Sequence, residues 1–169
     1  MKHSLRKKEL ALTIAVALTT TPALAEELAL EEIIVTAQKR VQTLEDVPLS
    51  VSAVTGDAVR DYLGGNQDIR ALAARVPGLN IETSNGRTQP RFYLRGLGNI
   101  DFDVNANQPV AMVFDDISLE NNVLRSIPLF DIERVEVLKG PQGTLFGRNT
   151  NAGAIKIDSV KPGTERDGY

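Results

Sequence analysis

Short apolar runs alternate with polar, glycine- and proline-marked breaks along the chain, and no run is long. An early β-branched run, Glu32-Ile33-Ile34-Val35-Thr36-Ala37, gives way to the polar stretch QKRVQTLED. Leu49, Val51 and Ala53 then fall on one side of a strand predicted over 47–54. DAVRDYL predicts a helix of one or two turns, capped by Thr55 or Asp57 and stopped by Gly64 and Gly65. A second helix is expected from Asn66, because Ile69, Leu72, Ala73 and Val76 recur at helical spacing before Pro77-Gly78. LNIETS and RFYLRG flank Asn85-Gly86 and predict a tight hairpin, loosened by Pro90. A polar loop, Gly98 to Gln108, leads into the apolar strand Pro109 to Ile117. Pro128 predicts a short helical turn over LFDIE. Arg134 to Lys139 reads as a strand with Val135 and Val137 on one side, and AIKID as a last strand with Ile155 and Ile157 inward. Without regular βαβ alternation, these elements predict an α+β fold: a small mixed β-sheet with short helices and long loops.

Lys2, Arg6, Lys7 and Lys8, an apolar ALTIAVAL and Ala23-Leu24-Ala25 form a secretory leader, expected to be cut after Ala25. Its apolar run is far short of the ~20 residues of a spanning helix. The expected organisation is leader 1–25, an N-terminal segment 26–46, a folded domain 47–162 and a short tail 163–169. Beyond the leader, 15 basic residues face 21 acidic ones, a formal charge of −6. That balance argues against nucleic acid as a partner. The chain has no cysteine, and its one histidine, His3, lies in the leader. Disulfides, thiol nucleophiles and His-based triads or metal sites are therefore excluded from the exported part.

The remaining candidates for chemistry are weak. Asp101, Asp103 and Asn107 space oxygens like the start of a calcium loop, but Ala106 and Met112 occupy the places of its glycine and its last acid. A solvated loop with turn-forming Asn and Asp is expected instead. GPQGTLFGRNT lacks the Lys-Ser/Thr of a phosphate loop, and its glycines read as tight turns. Asp115-Asp116 alternate to opposite faces if they lie in a strand, so one is expected in a turn. Arg134 and Glu136 are expected on one solvated face. No catalytic residue, metal ligand or cofactor is predicted, and the expected class is not an enzyme.

In sequence order, EEIIVTA, PLSVSAVTGDAV, DIRALAARVPGLNI, RFYLRGLG, PVAMVFDDI and IPLFDIERVEVLKGPQGTLFGRNTNAGAIKI resemble the plug domain of TonB-dependent outer-membrane receptors. The resemblance covers roughly Glu31 to Pro162, and ERVEVLKGPQGTLFGRNT is its most specific part; it implies a periplasmic segment with box and tether over 26–46, the plug over 47–162 and the start of a truncated or missing β-barrel over 163–169. It implies that Glu32, Ile33, Ile34, Val35, Thr36 and Ala37 are a TonB box, a strand-forming segment on a flexible tether that adds to a sheet edge of TonB. Pulled through this box, the plug would rearrange and open a path, with the 47–54 strand nearest the force and expected to yield first. The resemblance also implies that Arg95, Gly96, Glu136 and Lys139 contact a β-barrel. Gly140, Pro141 and Gly147 match the same motif as structural positions. Loops 84–90 and 98–108, with Asn85, Arg87, Asn99, Asp101 and Asp103, are expected to face the nutrient, a metal chelate such as a ferric siderophore. Lys156 and Asp158 stand where Asn and Thr or Ile are more usual in the family, and Ala152 replaces a glycine.

The expected location is the outer membrane, with the plug facing the periplasm inside a barrel. Only DSVKPGTERDGY follows Ile157, whereas such a barrel needs about 22 strands. A fragment, a non-functional truncated receptor and a solitary periplasmic plug-like binding module are the alternatives.

Overall fold

The computed structural model describes residues 32–63, 68–84, 86–101, 103, 105–126 and 128–164. The leader, the Asn66 cap, Asn85 and residues 165–169 lie outside the described residues. In chain order the elements are β1 (Ile34–Val35), β2 (Gln42–Thr43), a 3-10 turn (Leu44–Asp46), β3 (Ser50–Thr55), helix α1 (Gly56–Leu63) and a 3-10 helix (Ile69–Ala74). There follow β4 (Leu79–Glu82), β5 (Arg91–Leu94), β6 (Val110–Phe114), β7 (Ile117–Ser118), a 3-10 turn (Leu124–Ser126), β8 (Ile132–Lys139), α2 (Gly143–Phe146) and β9 (Gly153–Ser159).

Five strands form the central sheet in the order β3-β8-β9-β6-β7. Only β6 and β9 run parallel, so the sheet is mixed, and β1-β2 and β4-β5 form two separate ribbons. Period-two alternation divides the sheet into two faces. One face carries Val135, Val137, Ile155, Ile157, Val110 and Met112, buried with Phe92, Leu94, Leu72, Val76 and Leu129 in the main core. The α+β expectation holds on these grounds, as does the inward placement of Val135, Val137, Ile155 and Ile157.

Several local expectations need correction. The segment after Pro128 forms no helix, because Leu129 is drawn into the core and β8 begins at Ile132. The second predicted helix is a 3-10 helix; Asp68 caps it by accepting from the Arg70 amide at 3.0 Å. The β4–β5 hairpin, by contrast, is as expected: the strands pair antiparallel from Leu79↔Leu94 to Glu82↔Arg91, the ladder ending short of Pro90, while Asn85 of its turn lies outside the described residues. Asp115 and Asp116 both sit at positive φ, 46° and 64°, in the turn joining β6 to β7. Asp115 then accepts from the Ser159 amide at 2.9 Å and its hydroxyl at 2.8 Å, tying that turn to the end of β9. A carboxylate held this way is a turn fastening.

The glycine-rich stretch between β8 and β9 spends its amides on carbonyls. Gly140 donates to Ala152 (2.9 Å), Gln142 to Thr150 (3.0 Å) and Gly147 to Gly143 (3.0 Å). It is therefore not an anion cradle. At Gly153, φ is 152° and a Cβ would lie 2.2 Å from the Leu138 carbonyl oxygen, against the backbone of β8. Gly153→Ala is expected to cost about 3 kcal/mol in urea unfolding, because a backbone neighbour cannot yield. Gly86→Ala, where φ is 66° and nothing lies within 4 Å, is expected to cost only about 1 kcal/mol.

Candidate functional site

The second face of the sheet reads as polar in sequence, with Arg134 and Glu136 on β8 and Lys156 and Asp158 on β9. Register sets opposite charges against each other, Arg134↔Asp158 and Glu136↔Lys156, the favourable cross-strand arrangement. This face is nevertheless covered. Glu136 is 0% exposed, Lys156 3% and Asp158 6%. Residues 32–49 fold across it, and Val35, Ala37 and Val47 bury themselves with Leu138 in a second apolar cluster, flanked by Leu44, Leu49, Val51 and Phe146. The solvated face expected for Glu136 is thus corrected: an N-terminal cover displaces the water.

Thr36 is where the cover meets the charges. Its amide donates to Glu136 Oε1 at 2.6 Å. Its hydroxyl lies 3.2 Å from the same oxygen and 3.3 Å from Asp158 Oδ2, and accepts from Lys156 Nζ at 2.9 Å. Lys156 also donates to both Asp158 oxygens, at 2.5 and 2.6 Å. Arg134 Nε donates to Asp158 Oδ2 at 2.9 Å and lies 3.3 Å from Glu136 Oε1. Two cations and two carboxylates balance, which lets the cluster stay buried. Within this cluster Glu136 Oε2 is left without a hydrogen-bond partner among the described residues.

The carboxylates titrate in opposite senses. Burial pushes Glu136 up from its ordinary 4.5, only partly offset by the Thr36 amide, Lys156 and Arg134. Burial also acts on Asp158, but hydrogen bonds from Lys156 and Arg134 overrule it and hold the carboxyl below 3.8.

β1 has a defined polarity of edges. The Leu44 amide donates to the Ile33 carbonyl at 2.9 Å, in register with Ile34↔Thr43 and Val35↔Gln42. Alternation in an antiparallel ladder therefore turns the main-chain groups of Ile34 and Thr36 away from β2. At Thr36 both are already engaged, the amide by Glu136 and the carbonyl by the Lys39 amide at 2.8 Å. The stretch 38–46, read as a flexible tether, is a hairpin return that includes β2 and a 3-10 turn. It folds because Leu44 and Val47 have an apolar cluster to join.

The other predicted positions lie elsewhere. Arg95 and Gly96, at φ 53° and 81°, form the turn after β5 with reciprocal Leu94–Leu97 hydrogen bonds of 2.9 and 3.0 Å. Arg95 is exposed and, after burial, is the second cause lowering the Lys139 pKa; Lys139 donates to Ser52 Oγ at 2.8 Å. Asn99, Asp101 and Asp103 cap successive amides, those of Asp101, Asp103 and Asn105, at 2.8 to 2.9 Å. Arg87 is 3.8 Å from Asp68. Among the described residues no group of three or more acidic or His side chains is placed to hold a metal ion. Thr36 joins Glu136, whereas Arg95 and loop 98–108 do not enter this cluster. Sequence reasoning missed the part played by Arg134, Lys156 and Asp158. The available signal was equal-parity, opposite-sign charge on two neighbouring strands.

A mixed sheet with one apolar face, and an N-terminal strand laid over the other, defines a plug-type domain. The family model "TonB-dependent Receptor Plug Domain" matches residues 43–154, and the chain belongs to that family. A pesticin receptor of Yersinia enterocolitica is 36% identical over 96 residues, covering 56% of this chain and 14% of the relative. The vitamin B12 transporter BtuB of Vibrio vulnificus is 29% identical over 160 residues, covering 90% of this chain and 25% of the relative. The crystal structure of the ferric yersiniabactin uptake receptor FyuA from Yersinia pestis superposes with TM-score 0.58 at 29% identity, covering 68% of this chain and 17% of FyuA. The chain thus spans a quarter or less of the length of these relatives.

Because Glu136 binds its proton more readily folded than unfolded, its ionisation subtracts stability as the pH rises from 4.5 through its raised folded value. Asp158 acts oppositely, adding stability above 3.8 that is lost as the pH falls through its lowered folded value. Glu136→Gln is expected to remove the decline in stability between pH 4.5 and neutrality, read by urea unfolding across that range, while leaving the acid limb set by Asp158.

Proposed function

We propose that this chain is the plug and TonB-coupling part of an outer-membrane receptor for energised uptake of a scarce nutrient. A ferric siderophore is the expected class of cargo. The observation that carries the reading is β1: a two-residue strand at Ile34–Val35, paired only with the equally short β2 and lying ahead of the family-matched region. Such a strand can leave its own hairpin and add to a partner's sheet edge, main-chain bonds giving affinity and alternate side chains selectivity. In this reading Glu32 to Ala37 form the TonB box, in the periplasm, and the domain sits inside a β-barrel of the outer membrane.

Two further features support an enclosing barrel. Ile100, Val41, Ile117, Phe130 and Leu97 are 81%, 73%, 66%, 63% and 58% exposed, apolar surface that a wall would cover. Arg95 is exposed in the turn with Gly96, which suits it to an acidic partner on that wall, and Lys139 lies at the end of β8; Glu136, expected at the barrel too, is instead fully buried beneath Thr36 and faces no wall in this state. Cargo would meet loops 84–90 and 98–108, to which Asn85, Arg87, Asn99, Asp101 and Asp103 belong. The ferric yersiniabactin receptor among the similar structures supports a metal chelate as that cargo.

Ile34→Pro tests the coupling role. The Ile34 amide faces away from β2, so proline there removes an outer-edge donor without breaking the hairpin ladder. Binding of purified periplasmic TonB is expected to disappear in a calorimetric titration while the unfolding midpoint stays near that of the parent. Unchanged binding would overturn the proposal.

A further inference from the structure

We infer that the N-terminal strand is latched shut by the charged sheet face, with Glu136 holding the Thr36 amide that a strand-adding partner needs. The inference rests on the reading of 32–37 as the TonB-pairing segment. Of the two edges of β1, the inner is taken by β2. On the outer edge Thr36 has neither group available: its amide is bound by Glu136 and its carbonyl by Lys39. By the same alternation Ile34 and Glu32 keep outward groups, but a pairing that runs on through Thr36 is blocked. Docking of a partner strand along the whole of 32–37 therefore requires that Thr36 first let go of Glu136.

The latch has two parts. Val35 and Ala37 seat in the apolar cluster around Leu138, a non-directional hold. Thr36 adds a directional one, because its amide and hydroxyl reach into the group formed by Glu136, Asp158 and Lys156. The charges do not need Thr36 to remain compensated. When it leaves, Lys156 and Arg134 still hold Asp158, and Glu136, with one oxygen unpartnered in the closed state, gains water. Release therefore wets charged groups beneath Thr36, and exposes apolar surface only at the strip around Leu138. Polar residues at 156 and 158 thus hold the strand in place and soften the penalty of its release.

Hydrogen exchange in the full chain tests the latch without TonB. Thr36→Val keeps the shape of the side chain but removes its hydroxyl, and Glu136→Ala removes the acceptor. Exchange of segment 32–41 is expected to quicken about tenfold in each, with β8 and β9 exchanging as in the parent. Periplasmic TonB should bind Glu136→Ala about tenfold more tightly, since the closed state no longer competes. Exchange of 32–41 that stays at the parent rate while β9 keeps its protection would overturn the latch, and so would faster exchange with unimproved TonB binding. If Glu136→Ala loosens β9 itself, Thr36→Val decides, because it leaves the sheet untouched. Should the parent and Glu136→Ala both ignore TonB, the coupling function falls, while exchange still judges whether Thr36 is held.

Discussion

The bond from the Thr36 amide to Glu136 joins the start of the described chain to the middle of its central sheet, and the rest of the arrangement depends on the cover it fastens. A five-stranded sheet with one apolar face needs only one packing layer. Here the main core supplies that layer. The opposite face, with Arg134, Glu136, Lys156 and Asp158, could remain wet, as one face of many antiparallel sheets does. Residues 32–49 bury it instead, and the driving force is local: Leu138 and the flank of β3 offer an apolar strip on which Val35, Ala37 and Val47 settle. The charges are buried as a consequence.

Such burial is expensive unless geometry compensates it. Desolvation of a carboxylate costs several kcal/mol, and a buried ion pair often contributes less than an apolar substitute of the same volume. The cluster limits the loss by neutrality and by hydrogen bonds from two cations to Asp158. Glu136 is the weak member, with one oxygen lacking a hydrogen bond and its pKa displaced upward. Its shortest hydrogen bond, 2.6 Å, comes from Thr36 in the N-terminal cover. A face optimised purely for cohesion would carry aliphatic side chains at 136, 156 and 158.

Much of the fold was legible in the chain, since periodicity depends only on local order. Val135, Val137, Ile155 and Ile157 announce a buried face by alternation, and the Asn- and Asp-rich stretch after Gly98 announces turns. What could not be read was tertiary. Glu136 looks solvated until one knows that Thr36, a hundred residues earlier, lies over it. QKRVQTLED looks like a tether because β2 is two residues long and its stability comes from Leu44 and Val47 reaching a cluster made by other segments. One of Asp115 and Asp116 was legible as a turn former; that both lie in the turn depends on Ser159, which fastens it from outside. Lys156 and Asp158, departures from the resemblance, prove to be half of the cluster.

The order in which a pull from the N-terminus meets resistance also follows from this topology, and it differs from the expectation that the strand over 47–54 yields first. Tension applied ahead of Glu32 reaches the two-pair β1-β2 ribbon and the Thr36 bonds before it reaches β3. Once these release, the load passes through the 3-10 turn at Leu44–Asp46 to Ser50, the end of an edge strand whose only sheet neighbour is β8. β3 starts opposite Lys139 and ends opposite Arg134, so it can peel from its first residue. Beyond it, β8 and β9 are joined over seven registered pairs and packed on the main core. The barriers therefore rise inward: a fastening made largely of side-chain bonds, then one edge strand, then the centre of the sheet. Partial opening beside β8 can thus precede loss of the whole domain, as expected where local stability is graded rather than uniform.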